Sequence, residues 1–263
     1  MGKRLFTILV SLLLFHYLSW GTAQEGDILI LDGEEWELLY TPLEQLDSLA
    51  YSSLQKALEW EGRSTGNYRG YVAYWSIRDG MLYLEKVVMY DEQYLPKDCD
   101  YSVILKTLSR YDNNGRICAE WLSGEMIAGR GNIIRYQHMG FDRDYEEEIV
   151  VSVTQGAASL SQIFHNQGVF SSNEGRMRLD LYFKKFPSDS YGLDKGHYRF
   201  EAKYSTALHK WTVTLLKPSD LAEKDALEKD LAKYLNDSPE EFGDYIRGEW
   251  IHHSFSFGFS IDK

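Results

Sequence analysis

Two strand-like runs flank Asp79-Gly80 in the stretch 68–89, YRGYVAYWSIRDGMLYLEKVVM, and this hairpin signal limits the fold more than any other part of the chain. Asp-Gly between alternating apolar runs closes a tight turn, because both central residues of the favoured turn need positive φ. Tyr71, Ala73, Trp75 and Ile77 share one face of the first run, and Leu82, Leu84 and Val87 line its partner imperfectly. Asp32-Gly33 separates Asp27–Leu31 from 35–40 in the same way. Further strands are expected at 115–121, 124–128, 132–138, 145–154, 157–164 and 177–183. A second hairpin joins 197–204 to 210–216. The chain closes with WIHHSFSFGFSI, an expected strand with one aromatic face.

Helical signals are fewer. Thr41-Pro42-x-Glu44 reads as an N-cap, a proline in the first turn and a capping-box acid. Leu43, Leu46, Ala50, Leu54, Ala57 and Leu58 then follow at helical spacing towards Trp60, with Asp47-Ser48 able to shorten the helix at its front. Ser219-Asp220 precedes a stripe of Leu227, Leu231, Tyr234 and Leu235, and Ser238-Pro239-Glu240-Glu241 opens another short helix. Many strands with a few short helices give an α+β, predominantly antiparallel β protein. The expected division is a signal segment 1–23, a β-rich domain 24–166 and a hairpin-plus-helix region 167–263. Whether the last two are continuous is left open.

Lys3 and Arg4 precede the apolar run 5–20, and Gly21-Thr22-Ala23 follows, the pattern of an export signal cleaved after Ala23. The run is short for a membrane anchor, which needs about 20 apolar residues. The expectation is an exported chain, periplasmic or extracellular, with no stable membrane span after cleavage. Removing 1–23 leaves 26 basic and 40 acidic residues, a net charge of −14. Such a surface repels phosphate backbones and argues against nucleic acid. Cys99 and Cys118 are the only cysteines. In an exported protein they are expected to bridge, closing a loop of about 20 residues worth ~3 kcal/mol, with two buried free thiols as the alternative.

The stretch 135–151, RYQHMGFDRDYEEEIVV, concentrates a histidine and five carboxylates. Asp142, Asp144 and Glu146 alternate as in an EF-hand, but Glu147 stands where the glycine belongs and Val153 where the bidentate glutamate belongs. Only a looser calcium site at Asp142 and Asp144 survives. On a strand, Glu146 and Glu148 point away from Glu147. A hairpin in which His138 opposes Tyr145 sets Arg135 against Glu148, a cross-strand charge pair without chemistry. His138 as general base, with Glu147 orienting it, is the one catalytic candidate; the plainer reading has His138 pinning the turn at Met139-Gly140. Ser53-x-x-Lys56 lacks its partner motifs, and no nucleotide, zinc-protease or cofactor fingerprint is present, so no cofactor is expected. Aromatic residues make up 14% of the chain. Trp75 and Trp121 are expected in the core, while Tyr68, Tyr83 and Trp211 are candidates for stacking on a ligand such as a sugar ring.

The block RGYVAYWSIRDGMLYL, with Trp121-Leu122-Ser123-Gly124, Tyr136-Gln137-His138-Met139-Gly140 and Tyr145-Glu146, resembles a family of uncharacterised bacterial proteins. That family carries an R-G-Y-x-A-x-W-x-I-x-D-x-x-L-Y-L block followed by W-x-S-G and Y-x-H-M-G elements. The resemblance covers roughly half the chain, 27–154, and departs at Tyr74, Ser76, Leu122 and Gln137. It implies a bacterial origin and no particular activity. The functional expectation is a non-catalytic binding protein of the cell envelope whose partner is a protein or a glycan. An envelope hydrolase acting on glycan or peptide and an inhibitor of another protein are the alternatives.

Overall fold

The computed structural model describes residues 22–60, 64–90, 95–171, 181, 185, 187–218 and 220–261. The segment 1–21, Ser219 and all of the strand expected at 177–183 except Leu181 lie outside these residues. The chain divides into two compact units, 1–163 and 164–263.

The first unit runs β1 (Asp27–Leu31), β2 (Glu34–Leu38), α1 (Ser48–Ala57), β3 (Tyr71–Arg78), β4 (Met81–Tyr90), β5 (Pro96–Asp98), α2 (Tyr101–Thr107), β6 (Ile117–Cys118), β7 (Gly124–Tyr136), β8 (Arg143–Thr154) and β9 (Ala157–Leu160). Its sheet has the order β8-β7-β2-β1-β3-β4-β5, with β6 and β9 also on β4. Strand β9 pairs with β8 and meets β4 at Met81↔Ala157, bringing two distant parts of the sheet together. Pairing is antiparallel except between β1 and β3, which run parallel with Leu29 beside Trp75. Among the described residues strands dominate and three α-helices accompany them, an α+β fold.

The β3–β4 hairpin turns at Asp79 and Gly80, both at positive φ. Its imperfect alternation has a cause. Tyr74 pairs with Lys86 but Trp75 pairs with Leu84, so Glu85 is an extra residue that returns Val87 to the buried face. The helix expected from Pro42 to Trp60 is two elements. A 3-10 turn, Pro42–Gln45, ends at Leu46 with ψ of 151°, and the Asp47 side chain then caps α1 by accepting from the Ala50 N–H at 2.9 Å. Helix α2 was not expected. Asp100 caps it at Ser102, and Ile104 and Leu108 sink into the core one turn apart. The strands expected at 124–128 and 132–138 are one element, β7.

The core of this unit packs Leu29, Trp36, Leu38, Tyr71, Trp75, Leu82 and Leu84 from the sheet against Leu43, Leu54, Ile104 and Leu108. Trp121 lies half-buried against Trp75, edge-on at 6.3 Å, and donates its indole N–H to Pro42 O at 2.9 Å.

The second unit holds β10 (Phe164–His165), β11 (Gly196–Ser205), β12 (Lys210–Lys217), α3 (Lys224–Asp237), β13 (Asp244–Ile246), β14 (Glu249–Ile251) and β15 (Phe255–Ile261). Strands β12, β11 and β15 form an antiparallel sheet. Leu227, Leu231 and Leu235 of α3 pack with Phe200, Trp211, Val213 and Leu215 in its core. The helix starts at Lys224, later than the Ser219-Asp220 signal implies. It also tends the free edge of β12: Asn236 Oδ1 accepts the Trp211 N–H, and Glu228 Oε1 accepts the Leu215 N–H, each at 2.7 Å. The short helix expected at 238 is a 3-10 turn, Pro239–Phe242. The terminal strand is broken at 252–254, where the His252 ring stacks on Tyr204 at 4.0 Å and its Nε2 reaches Pro239 O at 3.0 Å.

Gly129 marks the tightest place in the β7–β8 ribbon, because a Cβ there would stand 2.7 Å from Tyr145 Cγ. Replacing Gly129 with Ala is expected to destabilise the protein by about 1–3 kcal/mol through overpacking, whereas Gly196→Ala, which meets no atom, leaves the melting temperature nearly unchanged.

Candidate functional site

Asp27 opens β1 on the inward face shared with Leu29. It is fully buried, so its carboxylate needs partners. Oδ1 accepts the Ala73 N–H at 3.2 Å, Oδ2 accepts the Trp75 indole N–H at 3.0 Å, and the buried Arg69 guanidinium lies 3.7 Å from Oδ1. Burial pushes the acid up to about 6, against the pull of Arg69 and the two hydrogen bonds, with Glu44 adding a further upward push. The block RGYVAYW thus places Arg69, Ala73 and Trp75 around one acid that lies more than forty residues away in sequence.

Arg69 is only partly satisfied. Nη2 donates to Glu25 O at 2.7 Å, but Nε and Nη1 have no hydrogen-bond partner among the described residues. Trp60 Nε1 is also buried without one among the described residues, while the Tyr71 hydroxyl interacts with that of Tyr51. The three atoms belong to one cluster, since Trp60 stacks on Tyr71 at 4.2 Å and Arg69 lies 5.2 Å from the Tyr71 ring centre. Each buried donor left unpaired costs about 1–3 kcal/mol. Tyr51 lies 5.6 Å from Trp60. At the exposed end of the cluster stands Tyr68, 58% exposed, donating to Glu44 Oε1 at 2.9 Å, while Thr41 donates to Glu44 Oε2 at 2.6 Å.

The charged stretch 135–151 is a different construction. Arg135 bonds Asp144 through Nε and Asp142 through Nη1, the latter at 2.6 Å, so the two acids suggested for calcium converge on a guanidinium instead. Among the described residues no three His, Cys, Asp or Glu side chains group to hold a metal ion. Arg143 and the Tyr145 hydroxyl both bond Glu37, and Arg130 bridges Glu34 and Glu147 while lying 4.3 Å from the Trp36 ring centre. Glu146 takes the Asn132 backbone and side-chain N–H groups at 2.9 and 3.0 Å, which holds its acid below the usual range.

The expected register of this ribbon is corrected. Arg135 opposes Asp144 rather than Glu148, and Tyr145 faces Ile133 rather than His138. Irregular steps at 130–135 and a turn closed at Gly140, with φ of 53° and Gln137 N bonded to Asp142 O at 2.9 Å, shift the pairing. His138 is exposed and its Nδ1 meets the Tyr136 hydroxyl at 3.1 Å. Glu147 lies opposite Arg130, four residues or ~13 Å along β8 from the last pair before the turn, so the structure does not join His138 and Glu147 as base and orienter.

Trp211 is not a stacking platform, because at 1% exposure it belongs to the core of the second unit between Tyr204 and Phe255. Tyr83 is half-buried and its hydroxyl accepts from Asn113 at 3.0 Å. Of the three aromatic candidates only Tyr68 presents an open face.

The expected disulfide is absent, and Cys99 and Cys118 are free thiols. Both lie along β4, Cys99 bonded to Val87 O and Cys118 paired with Tyr83. Four residues of strand separate those positions by ~13 Å, beyond the roughly 7 Å between Cα atoms that a bridge allows. Cys99 lines a cleft of about 610 Å3 with Leu58, Met89 and Val103, where burial, and then Asp98, push its thiol up to about 11. Comparison with protein-family models, curated proteins and solved structures returns no match to the chain.

Two measurements check these environments. Under non-reducing conditions the denatured protein is expected to titrate two thiols, with slow labelling in the native state because both thiols are held protonated. For Asp27, a folded value near 6 against an ordinary 3.8 means the native state binds the proton more tightly. Its contribution to stability is therefore full below pH 3.8 and lost as pH rises through about 6. The melting temperature of wild type minus that of Asp27→Asn is expected to fall across this window, and a flat difference rejects the assignment.

Proposed function

We propose that this is an exported, non-catalytic binding protein of the bacterial cell envelope that engages a protein partner through the distal end of the β7–β8 ribbon. One observation carries the reading: beyond its last backbone pairing with β2 the ribbon continues as an arm whose end exposes Ile133 (48%), Tyr136 (51%) and Met139 (55%). Exposed apolar and aromatic groups gathered at one place support a docking role, and tyrosine and methionine are enriched at such contacts. Ile133 and Tyr136 pair with Tyr145 and Arg143, two residues apart on β8, and so share a face of the ribbon. Arg135 with its two aspartates and Arg143 with Glu37 brace the arm from within, which lowers the ordering cost of binding. Export is supported by Lys3 and Arg4, the apolar run and the small residues before Gln24. Among the described residues no helix is long and apolar enough to cross a membrane.

In the source cell, a photo-crosslinking residue at Met139 is expected to give one discrete adduct, on a chain whose N-terminus is Gln24. The same residue at Leu160, exposed elsewhere on the unit, serves as control. Tyr136→Ala is expected to weaken the adduct's complex by about tenfold while shifting stability by less than about 0.5 kcal/mol. Equal adducts at both positions, or none at Met139, would overturn the reading.

A further inference from the structure

We propose that the cluster around Arg69 is a binding site for a neutral, hydroxyl-rich ligand of the sugar type, entered beside Tyr68. The proposal stands on hydrogen-bonding capacity the protein leaves unused. Arg69 is 99% buried by side chain, yet among the described residues its Nε and Nη1 find no acceptor, and the same holds for Trp60 Nε1. A native core pairs nearly all such groups, so three together mark a place where an acceptor belongs.

Charge selects the kind of acceptor. Asp27 and Glu44 both act electrostatically on this cluster, and the Glu25 carboxylate is bonded to Asn67 close by, at 2.8 Å. Three acids in one cluster disfavour a carboxylate or phosphate ligand. A hydroxyl has no such penalty: it accepts from Arg69 or Trp60 through its oxygen and donates to Glu44 through its hydrogen. Glu44 already receives one hydroxyl, that of Tyr68, in the geometry a ligand hydroxyl would adopt. The exposed ring of Tyr68 supplies the apolar face against which the C–H side of a pyranose packs. The site is independent of the proposed protein contact at the β7–β8 arm.

Indole N–H signals in a 15N-labelled sample of the full exported chain read the site directly, with Trp60→Phe identifying the Trp60 resonance. Glucose, galactose, N-acetylglucosamine and short N-acetylglucosamine oligomers are the probes. At least one is expected to shift the Trp60 N–H saturably, and Glu44→Gln and Arg69→Lys are each expected to weaken that binding by about tenfold or more. Should Arg69→Lys fail to fold, Glu44→Gln alone decides, since Glu44 is at the surface end of the cluster. No saturable shift with any probe overturns the proposal. So does binding that both variants leave intact, or a saccharide-soaked crystal with only ordered water on Arg69 Nε and Trp60 Nε1.

Discussion

Burial of one carboxylate sets the terms for the first unit. Asp27 stands where β1 begins to run parallel to β3, and an acid there can be buried only if N–H groups surround it. Those groups come from the Ala73 backbone, the Trp75 indole and the Arg69 guanidinium, all from the segment that enters and forms β3. The acid therefore fixes the stagger of β1 on β3, and with it the inward direction of Tyr71, Ala73 and Trp75. Trp75 in turn meets Trp121, whose indole N–H reaches the turn before α1. Sheet and helical layer are joined through this chain of contacts.

The second charged construction works by a different rule. In the β7–β8 ribbon burial is uneven, with Arg143, Asp144 and Glu148 buried and Arg130, Arg135 and Glu147 partly open to water, and each guanidinium serves two elements or two strands. Arg130 connects β2 to β8, Arg143 connects β8 to β2, and Arg135 holds the turn. The pairs open to water contribute little stability singly. Their value is geometric, since together with the Gln24 N–H, which donates to Gly140 O at 2.7 Å, they fix the direction of the arm.

Much of this architecture was legible in the residues. Alternation located the β3–β4 hairpin, and Asp79-Gly80 located its turn. The extra Glu85 was visible only as an irregularity, because a bulge shows as a lapse in alternation without saying which residue is surplus. The register of the arm was not legible for the same reason: irregular steps and a six-residue turn leave no periodic signal. Helix α2 is seven residues long, so its Asp100-x-Ser102 cap and the Ile104–Leu108 pair were too brief to stand out. The Asp27 cluster was hidden by distance, since its members are local in space but far apart in sequence. Trp211, by contrast, alternated with Val213 and Leu215, and that pattern pointed inward from the start.

The way α3 meets β12 has a consequence for the second unit under stress. Asn236 and Glu228 make the helix serve as the neighbouring strand, so the sheet's hydrogen bonding and its hydrophobic cover depend on the same element. A transient lifting of α3 would uncover Leu215 and Trp211 and, in the same motion, free their backbone N–H groups. Apolar surface and unpaired edge would appear together, which is the combination that lets one chain template another. The resistance of this protein to self-association is thus set by how seldom one fourteen-residue helix detaches.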